Sequence, residues 1–287
     1  MPTVWAYFVA LFQKMNSRLS LLLALTLGLT WSGTPLRAQT KGGQFSGDLE
    51  WFQNVFFLDS SVLSDPIPPQ YYQQLSSTDA WMNLNYRQGD LEAGLRFDLF
   101  LNSGLRNPYV VRNQQGIGFW YVSHKVNKLK VRLGHLYDQF GNGITFRAYE
   151  GRGQNLDYAL FGLSGQYQIN DHWQIQGFTG KQKVLFDTYA PVIKGLCLQG
   201  NLRSERLGLS WAPGWSFVNR TLDGQSMQSV VGSIESLDPS KRFVPKYNTY
   251  VGSFFQNLQW GPWSLNTEWA LKSQEAVLDR NGILENS

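Results

Sequence analysis

The stretch that decides the fold is Ala80–Phe100, which reads AWMNLNYRQGDLEAGLRFDLF. On both sides of Gln88-Gly89, apolar residues alternate with polar ones, as in Met82, Asn83 and Leu84. Because successive side chains of a strand point to opposite faces, this pattern predicts a β-hairpin with one apolar and one polar face. Such strands are typical of barrels that span a lipid membrane. The hairpin's charged positions, expected on the water side, are Arg87, Glu92, Arg96 and Asp98.

The same alternation recurs along the chain and predicts an all-β fold, an antiparallel up-and-down transmembrane β-barrel with about eleven strands. The alternative is a soluble sandwich, whose inner face would be the apolar one. In the fourth strand we expect Trp120 and Val122 on the inner face. The strands are expected at 44–57, 79–87, 90–101, 115–124, 129–137, 158–169, 173–181, 194–203, 206–218, 247–259 and 263–273.

The predicted connections alternate strictly in length. Short turns are expected at 88–89, 126–128, 170–172, 204–205 and 261–262, and long connections at 58–78, 102–114, 138–157, 182–193 and 219–246. Outer-membrane barrels have short periplasmic turns and long external loops. The alternation therefore favours a barrel over a sandwich, whose loops need not alternate.

The composition agrees with a membrane β-barrel. Aromatic residues make up 15% of the chain and charged residues only 16%, whereas soluble domains carry about 25% charge. The longest apolar run, Leu19–Trp31, has 13 residues, and a membrane-spanning helix needs about 20. A helical membrane protein is therefore disfavoured.

The first 38 residues have the pattern of an export leader. A basic region at Asn16-Ser17-Arg18 precedes the apolar run, and the small residue Ala38 follows it, as in secretory signal peptides. We expect a signal peptide at 15–38, a mis-called start at 1–14 and the barrel domain at 39–287. The alternative is an N-terminal anchor. The expected location is the bacterial outer membrane.

The strand count predicts a barrel that this chain does not complete. Single-chain bacterial barrels have even strand numbers, and unpaired edges in lipid cost several kcal/mol per group. Either the count is wrong by one strand, or the barrel domain is truncated at its C-terminus. The absence of a C-terminal aromatic strand end favours truncation.

Charge and motifs exclude several functions. Without the leader's three basic residues, the 25 Lys and Arg fall to 22, against 21 Asp and Glu, so the excess of cations needed for nucleic-acid binding is missing. Cys197 is the single cysteine and is expected to be an inert thiol. No hydrolase, zinc-binding or phosphate-loop motif occurs, so the sequence predicts no enzyme, no cofactor and no metal site.

The most distinctive stretch is residues 131–162, VRLGHLYDQFGNGITFRAYEGRGQNLDYALFG. Phe140-Gly141-Asn142-Gly143 is a glycine-rich bend, because glycine adopts positive φ without strain. Four charged residues follow within eleven positions: Arg147, Glu150, Arg152 and Asp157. If this segment folds into the lumen, its charges constrict a pore or hold a ligand. The alternative is an internal salt-bridge network that braces the wall.

This stretch resembles an uncharacterised Bacteroidota family of predicted outer-membrane β-barrel proteins. His135 and the extra Gly153-Gln154 depart from the family's pattern. The resemblance implies a longer barrel and brings no known activity or catalytic residue. The matching positions are Gly134, Tyr137, Asp138, Gln139, Phe140, Gly141, Gly143, Phe146, Arg147, Tyr149, Glu150, Arg152 and Asp157.

Three functions stay open from the sequence. The first is porin-like passage of small solutes, with a charged lumen or constriction formed by Arg132, Asp138, Arg147, Glu150, Arg152 and Asp157 beside the motif glycines Gly134, Gly141 and Gly143. The second is a non-conducting structural or assembly barrel for secretion, motility or surface attachment, its lumen filled by Trp120, Phe178 and Phe255. The third is a fatty-acid-type transporter with an apolar lumen pocket. Expected partners are outer-membrane lipid and either small solutes or envelope proteins.

Overall fold

The structure, a computed structural model, describes residues 42–57, 74–102, 113–154, 156–278 and 284–286. The predicted leader at 1–38 lies outside the described residues. So do most of the predicted long connections at 58–78 and 102–114. Among the described residues, no helix has both the length and the apolar character to cross a membrane.

The main part of the described structure is one antiparallel sheet, in which each long strand pairs with the next long strand along the chain. The order is β1-β2-β3-β4-β5-β10-β11-β12-β14-β15-β16, and β13 pairs with β14. These strands are β1 Gln44–Val55, β2 Ser76–Gln88, β3 Leu91–Leu101, β4 Gln114–Val126, β5 Leu129–Leu136, β10 Leu160–Gln168, β11 Trp173–Val184, β12 Asp187–Gly200, β13 Leu202–Ser204, β14 Leu209–Thr221, β15 Asn248–Trp260 and β16 Trp263–Lys272.

The remaining elements are short. Two small hairpins lie between β5 and β10, and a third pairs β17 with β18. The other elements among the described residues are the helix α1 and two 3-10 turns. Their bounds are β6 Asp138–Gln139, β7 Arg147–Ala148, β8 Glu150–Gly151, a 3-10 turn Arg152–Gln154, β9 Leu156–Asp157, α1 Gly224–Glu235, a 3-10 turn Pro239–Lys241, β17 Ala276–Leu278 and β18 Leu284–Asn286.

The prediction of an all-β, antiparallel, up-and-down sheet is confirmed, and all eleven predicted strands are present. The predicted long connection at 182–193 is wrong. Strand β11 continues to Val184 and strand β12 begins at Asp187, and these two residues pair across a two-residue turn. Leu185 in that turn has a φ of 55°, a conformation in which leucine is uncommon. This turn contains no glycine, asparagine or proline, so it has none of the residues by which a turn is predicted from the sequence.

The long connection after β14 contains the helix α1, which the strand pattern does not predict. The side chain of Asp223 accepts hydrogen bonds from the backbone N–H groups of Gln225 and Ser226 and so caps the first turn. Met227 and Ile234 are buried on one side of the helix. An N-cap acid followed by apolar residues at helical spacing was the available signal.

The two faces of the sheet differ in chemistry as the alternation predicts. Leu133 of β5 pairs with Leu163 of β10, and both side chains are exposed. On the other face, Arg96, Asp98 and Ser216 are buried. We call the first the outer face and the second the inner face. A soluble sandwich would show the reverse, since its apolar face is the buried one.

Trp120 and Val122 are an exception to the prediction, because both lie on the outer face. Val122 pairs with outer-face residues of both neighbouring strands and is exposed. The Trp120 ring contacts the ring of Phe161 at 5.5 Å. The cause is a β-bulge at Gly118, where β4 gains one residue relative to β3. One extra residue exchanges the two faces for the rest of the strand.

The sheet curves around residues 137–154 and 156–159, which we call the inner segment. Arg152 of this segment bonds to Glu50 of β1, while the backbone N–H of Asn142 donates to Glu268 of β16 at 2.8 Å. In a flat sheet, β1 and β16 would lie about 48 Å apart. Ten residues span at most about 35 Å when fully extended, and this segment folds back into hairpins. Among the described residues β1 pairs with β2 alone and β16 with β15 alone, so barrel closure stays a prediction.

Candidate functional site

Arg96 of β3 is the centre of a buried ionic network on the inner face. Its Nε and Nη2 donate to the two carboxylate oxygens of Asp98 at 2.6 and 2.9 Å. Nη1 donates to Glu150 at 2.8 Å and to the Tyr137 hydroxyl at 3.3 Å, and Nη2 donates to Asp157 at 2.8 Å. All five guanidinium N–H groups therefore have an acceptor. Only 5% of this side chain is exposed.

Asp157 is the second branch point of the network. It accepts hydrogen bonds from the Tyr137 hydroxyl at 2.8 Å and from the buried ammonium of Lys183 in β11. Burial raises the pKa of this carboxyl, but the charges of Lys183 and Arg96 outweigh burial and hold the pKa below its usual range. Asp157 is therefore ionised at neutral pH.

Glu150 and Arg152 extend the network toward β1. Arg152 Nε lies 3.2 Å from Glu150 and its Nη1 bonds to Glu50. The guanidinium also lies 4.9 Å from the centre of the Trp81 ring. Burial raises the pKa of Glu150 above its usual range, more than the charge of Arg96 lowers it. The network thus ties the inner segment to β1, β3 and β11.

Aromatic packing fixes the glycine-rich bend. Phe140 and Phe146 of the inner segment contact Phe178 of β11, with ring centroids 5.3 and 4.2 Å apart. Gly141 has a φ of 53°, and a Cβ there would lie 2.7 Å from the Phe255 ring. Only glycine fits such a position without strain.

The other two motif glycines also have positive φ. Gly143 has a φ of 92°. Gly134 in β5 has a φ of 107°, and a Cβ on it would lie 2.5 Å from the backbone oxygen of Trp120. These glycines are therefore required by the backbone rather than by a ligand.

The structure divides the six charged residues singled out from the sequence into three groups. Glu150, Arg152 and Asp157 meet in the Arg96 network. Arg132 and Asp138 line a separate cavity of about 280 Å³ on the inner face. Arg147 stands by itself as the third group. It is exposed, and its guanidinium lies 4.4 Å from the centre of the Tyr149 ring.

Arg132 and Asp138 are held by different contacts. The Arg132 guanidinium lies 4.2 Å from the centre of the Tyr121 ring. Asp138 accepts from the Gln176 side chain and from the Gln139 N–H. Burial raises the pKa of Asp138. A role of these residues in a lumen or constriction stays a prediction.

Several members of the network are missed by sequence reasoning. Arg96 and Asp98 are assigned only to the water side of their hairpin, and Glu50 and Lys183 receive no role. Lys183 falls in the wrongly predicted connection, so its place on a strand is hidden. The partners of Arg96 lie as far as 61 residues away in the chain, and no local pattern encodes such a pairing.

No described group of three or more His, Cys, Asp or Glu side chains is arranged to hold a metal ion. Asp98, Glu150 and Asp157 instead each bind Arg96. Cys197 is buried in the same apolar cluster as Phe178 and Phe255. The candidate site offers ionic and hydrogen-bonding groups.

Residues 14–287 match DUF6029, a family of unknown function. The chain belongs to that family. The prediction of a family without known activity is confirmed, while its Bacteroidota origin and its shared motif stay predictions. No curated protein sequence matches this DUF6029 chain.

Two solved structures from Pseudomonas aeruginosa are similar to the chain. The crystal structure of OccK8 (OprE) has a TM-score of 0.41 and 11% identity, covering 85% of this chain and 70% of its own. The crystal structure of OccK2 (OpdF) has a TM-score of 0.36 and 9% identity, covering 82% of this chain and 66% of its own. The fold assignment depends on the strand order described above.

Proposed function

We propose that this DUF6029 chain forms an outer-membrane β-barrel channel that admits small solutes along its inner face. The observation that carries the proposal is the curved sheet itself. Its outer face is apolar and exposed, and its inner face is polar and only partly covered by the inner segment. The proposal includes export by the predicted signal peptide and an origin in Bacteroidota.

The outer face supports a lipid environment. Leu271, Trp263 and Trp269 of β16 are 85%, 75% and 58% exposed. Strands β14 and β12 carry further exposed apolar residues on the same face, among them Phe217 and Leu196. Water-soluble monomers rarely expose apolar patches larger than a few hundred Å², whereas lipid tails solvate such a surface.

Aromatic residues at the ends of strands support the same placement. Trp260 and Trp263 flank the Gly261-Pro262 turn, and both are exposed. Trp173 and Trp215 stack near the same end of the sheet, with ring centroids 6.1 Å apart. Aromatic girdles at the level of the lipid headgroups are typical of outer-membrane barrels.

The inner face supports passage of solutes. At the end with the short turns, a cavity of about 490 Å³ is lined by charged and amide side chains, among them Arg87, Glu92 and Lys130. A second cavity of about 370 Å³ is lined by Gln199, Asn257 and other polar residues. Both cavities lie at the short-turn end of the sheet, and polar, water-accessible space on the inner face is what a channel requires.

A non-conducting structural barrel is the second candidate. It is favoured by one observation: Phe140, Phe146, Phe178 and Phe255 form a buried aromatic cluster between the inner segment and the wall. If this cluster blocked passage, the protein would serve as a scaffold for envelope proteins.

Single-channel recording of the purified protein in planar bilayers decides between the two candidates. We expect discrete conductance steps. The matched control is the same preparation checked for a shift in gel migration between unheated and boiled samples, which reports a folded barrel. Folded protein that produces no steps would overturn the channel and support the scaffold.

A further inference from the structure

Another cleft on the inner face lies outside the Arg96 network. It lies between residues 145–148 of the inner segment and the ends of β12, β14 and β15, and its volume is about 270 Å³. Phe146, Ile193 and Val218 give it an apolar floor. We call it the basic cleft, after the charged residues on its rim: Arg147, Arg220, Lys272 and Glu275.

The rim carries more positive than negative charge. Arg220 and Lys272 both bond to Glu275, the latter at 2.6 Å. Thr249 donates to the same carboxylate at 2.9 Å. No described carboxylate pairs with Arg147. Three cations and one acid leave the rim with a net charge of two positive.

These cations are available to a solute. The side chains of Arg220 and Lys272 are 43% and 42% exposed, and Arg147 is exposed. Their partner stays charged at neutral pH, since bonds from Lys272 and Thr249 outweigh burial and hold the pKa of Glu275 below its usual range. A guanidinium presents a planar fork of donors that matches carboxylate and phosphate oxygens.

We propose that the basic cleft binds a small organic anion, with a carboxylate or phosphate between Arg147 and Arg220 and an apolar portion on Phe146 and Val218. This inference rests on the channel proposed above and names its solute class. The apolar floor separates such a solute from chloride, which gains nothing from it. The net positive charge of the rim also favours the passage of anions over cations.

Calorimetric titration of the purified protein tests binding independently of conductance. The probes are benzoate, phenyl phosphate and the neutral benzyl alcohol. We expect at least one of the two anions to bind and benzyl alcohol to bind at least about tenfold more weakly, because it lacks the charge. The stronger of the two anions identifies the headgroup chemistry. Equal binding of benzyl alcohol and both anions, or no binding of either anion, would overturn the proposal.

Variants of the rim give the sharper comparison. Arg147→Gln and Arg220→Gln should each weaken binding of the preferred anion about tenfold, as expected for one charged hydrogen-bonding partner. Arg206→Gln, which alters an exposed cation in the turn between β13 and β14, is the matched control and should bind like the wild type. Arg147 has no ion-pair partner among the described residues, so its variant is expected to fold. Unchanged binding in Arg147→Gln would contradict the proposal.

The reversal potential in a KCl gradient separates this inference from the channel itself. We expect an anion preference that falls in Arg147→Gln. Steady conductance with no anion preference and no binding would overturn the proposed anion binding in the basic cleft and would still support the channel function. Silent bilayers together with charge-dependent binding would support the cleft and overturn the channel.

Discussion

Arg96 of β3 donates to Asp157 over 2.8 Å, although the two residues are 61 positions apart. Neither side chain has much contact with water, since 5% of Arg96 and 12% of Asp157 are exposed. The pair joins the wall of the sheet to the segment that crosses its inner face. Loss of this contact should therefore affect both the stability of the fold and the position of the segment.

Replacement of Arg96 by Gln tests the energetic weight of the network. The variant leaves three buried carboxylates, of Asp98, Glu150 and Asp157, without their shared cation. Breaking a buried ion pair by removing one partner costs about 3–5 kcal/mol. We expect a loss of that size in the free energy of unfolding, measured in urea by tryptophan fluorescence. Arg206→Gln is the control and should change by less than about 0.5 kcal/mol. A loss below about 1 kcal/mol for Arg96→Gln would mean that the network does not brace the wall.

The pH dependence of stability should have two phases of opposite sign. Burial raises the pKa of Glu150 and of Asp138. The folded state therefore binds a proton at each of these carboxylates more readily than the unfolded state does, and it becomes more stable as the pH falls through the raised pKa values. The pKa of Asp157 is lowered, so its contribution is fully present above the usual value of about 4 and is lost as pH falls through the folded value.

Asp157→Asn isolates the second of these phases. The variant keeps the shape of the side chain but has no carboxylate to titrate. As the pH falls from neutral toward about 4, we expect the wild type to keep its stability or to gain slightly, and below about pH 4 we expect it to lose stability. We expect the variant to be less stable at pH 7 and its stability to change less below about pH 4. Unfolding temperatures measured across this range check the prediction. Parallel curves for the two proteins would contradict it.

Much of the wall follows from local alternation, because a strand with one apolar face and one polar face repeats its chemistry every two residues. The prediction fails where one residue disturbs this period. Gly118 adds a bulge that turns Trp120 outward, and Leu185 makes a turn without a turn-forming residue. The site is less predictable than the wall. Its charges are visible in the sequence, but their partners come from strands brought together only by the curvature of the sheet.

Phe140→Ala tests whether the aromatic cluster narrows the passage. Phe140 is 1% exposed, and deletion of a buried phenyl ring costs about 3–5 kcal/mol. We expect that destabilisation together with a larger single-channel conductance, because the cavity opens beside the inner segment. Phe45→Ala is the matched control: Phe45 is 81% exposed, and its loss should leave conductance unchanged. Equal conductance in both variants would show that the cluster lies outside the conducting path.

Asp223→Ala tests the cap of α1. Asp223 is half-buried, and hydrogen bonds from Ser226 and Gln225 hold its pKa below the usual range. The cap should therefore stabilise the helix above about pH 4 and be lost as pH falls through the folded value. We expect faster hydrogen exchange of residues 224–228 in the variant at pH 7, with the strands unaffected. Exchange rates equal to those of the wild type would contradict a capping role.

A pair of cysteine variants on β16 tests which face of the sheet contacts lipid. Leu265 pairs with Leu258 on the outer face, whereas the next residue, Asn266, pairs with Asn257 on the inner face. In a Cys197→Ala background and in lipid vesicles, a charged maleimide should label Asn266→Cys and spare Leu265→Cys, because the charged reagent does not enter the bilayer core. In detergent-free urea both should be labelled, which controls for intrinsic reactivity. Since the two positions are adjacent, a difference between them reports the face of the strand rather than its depth. Equal labelling in vesicles would contradict a lipid-facing outer surface and, with it, the channel.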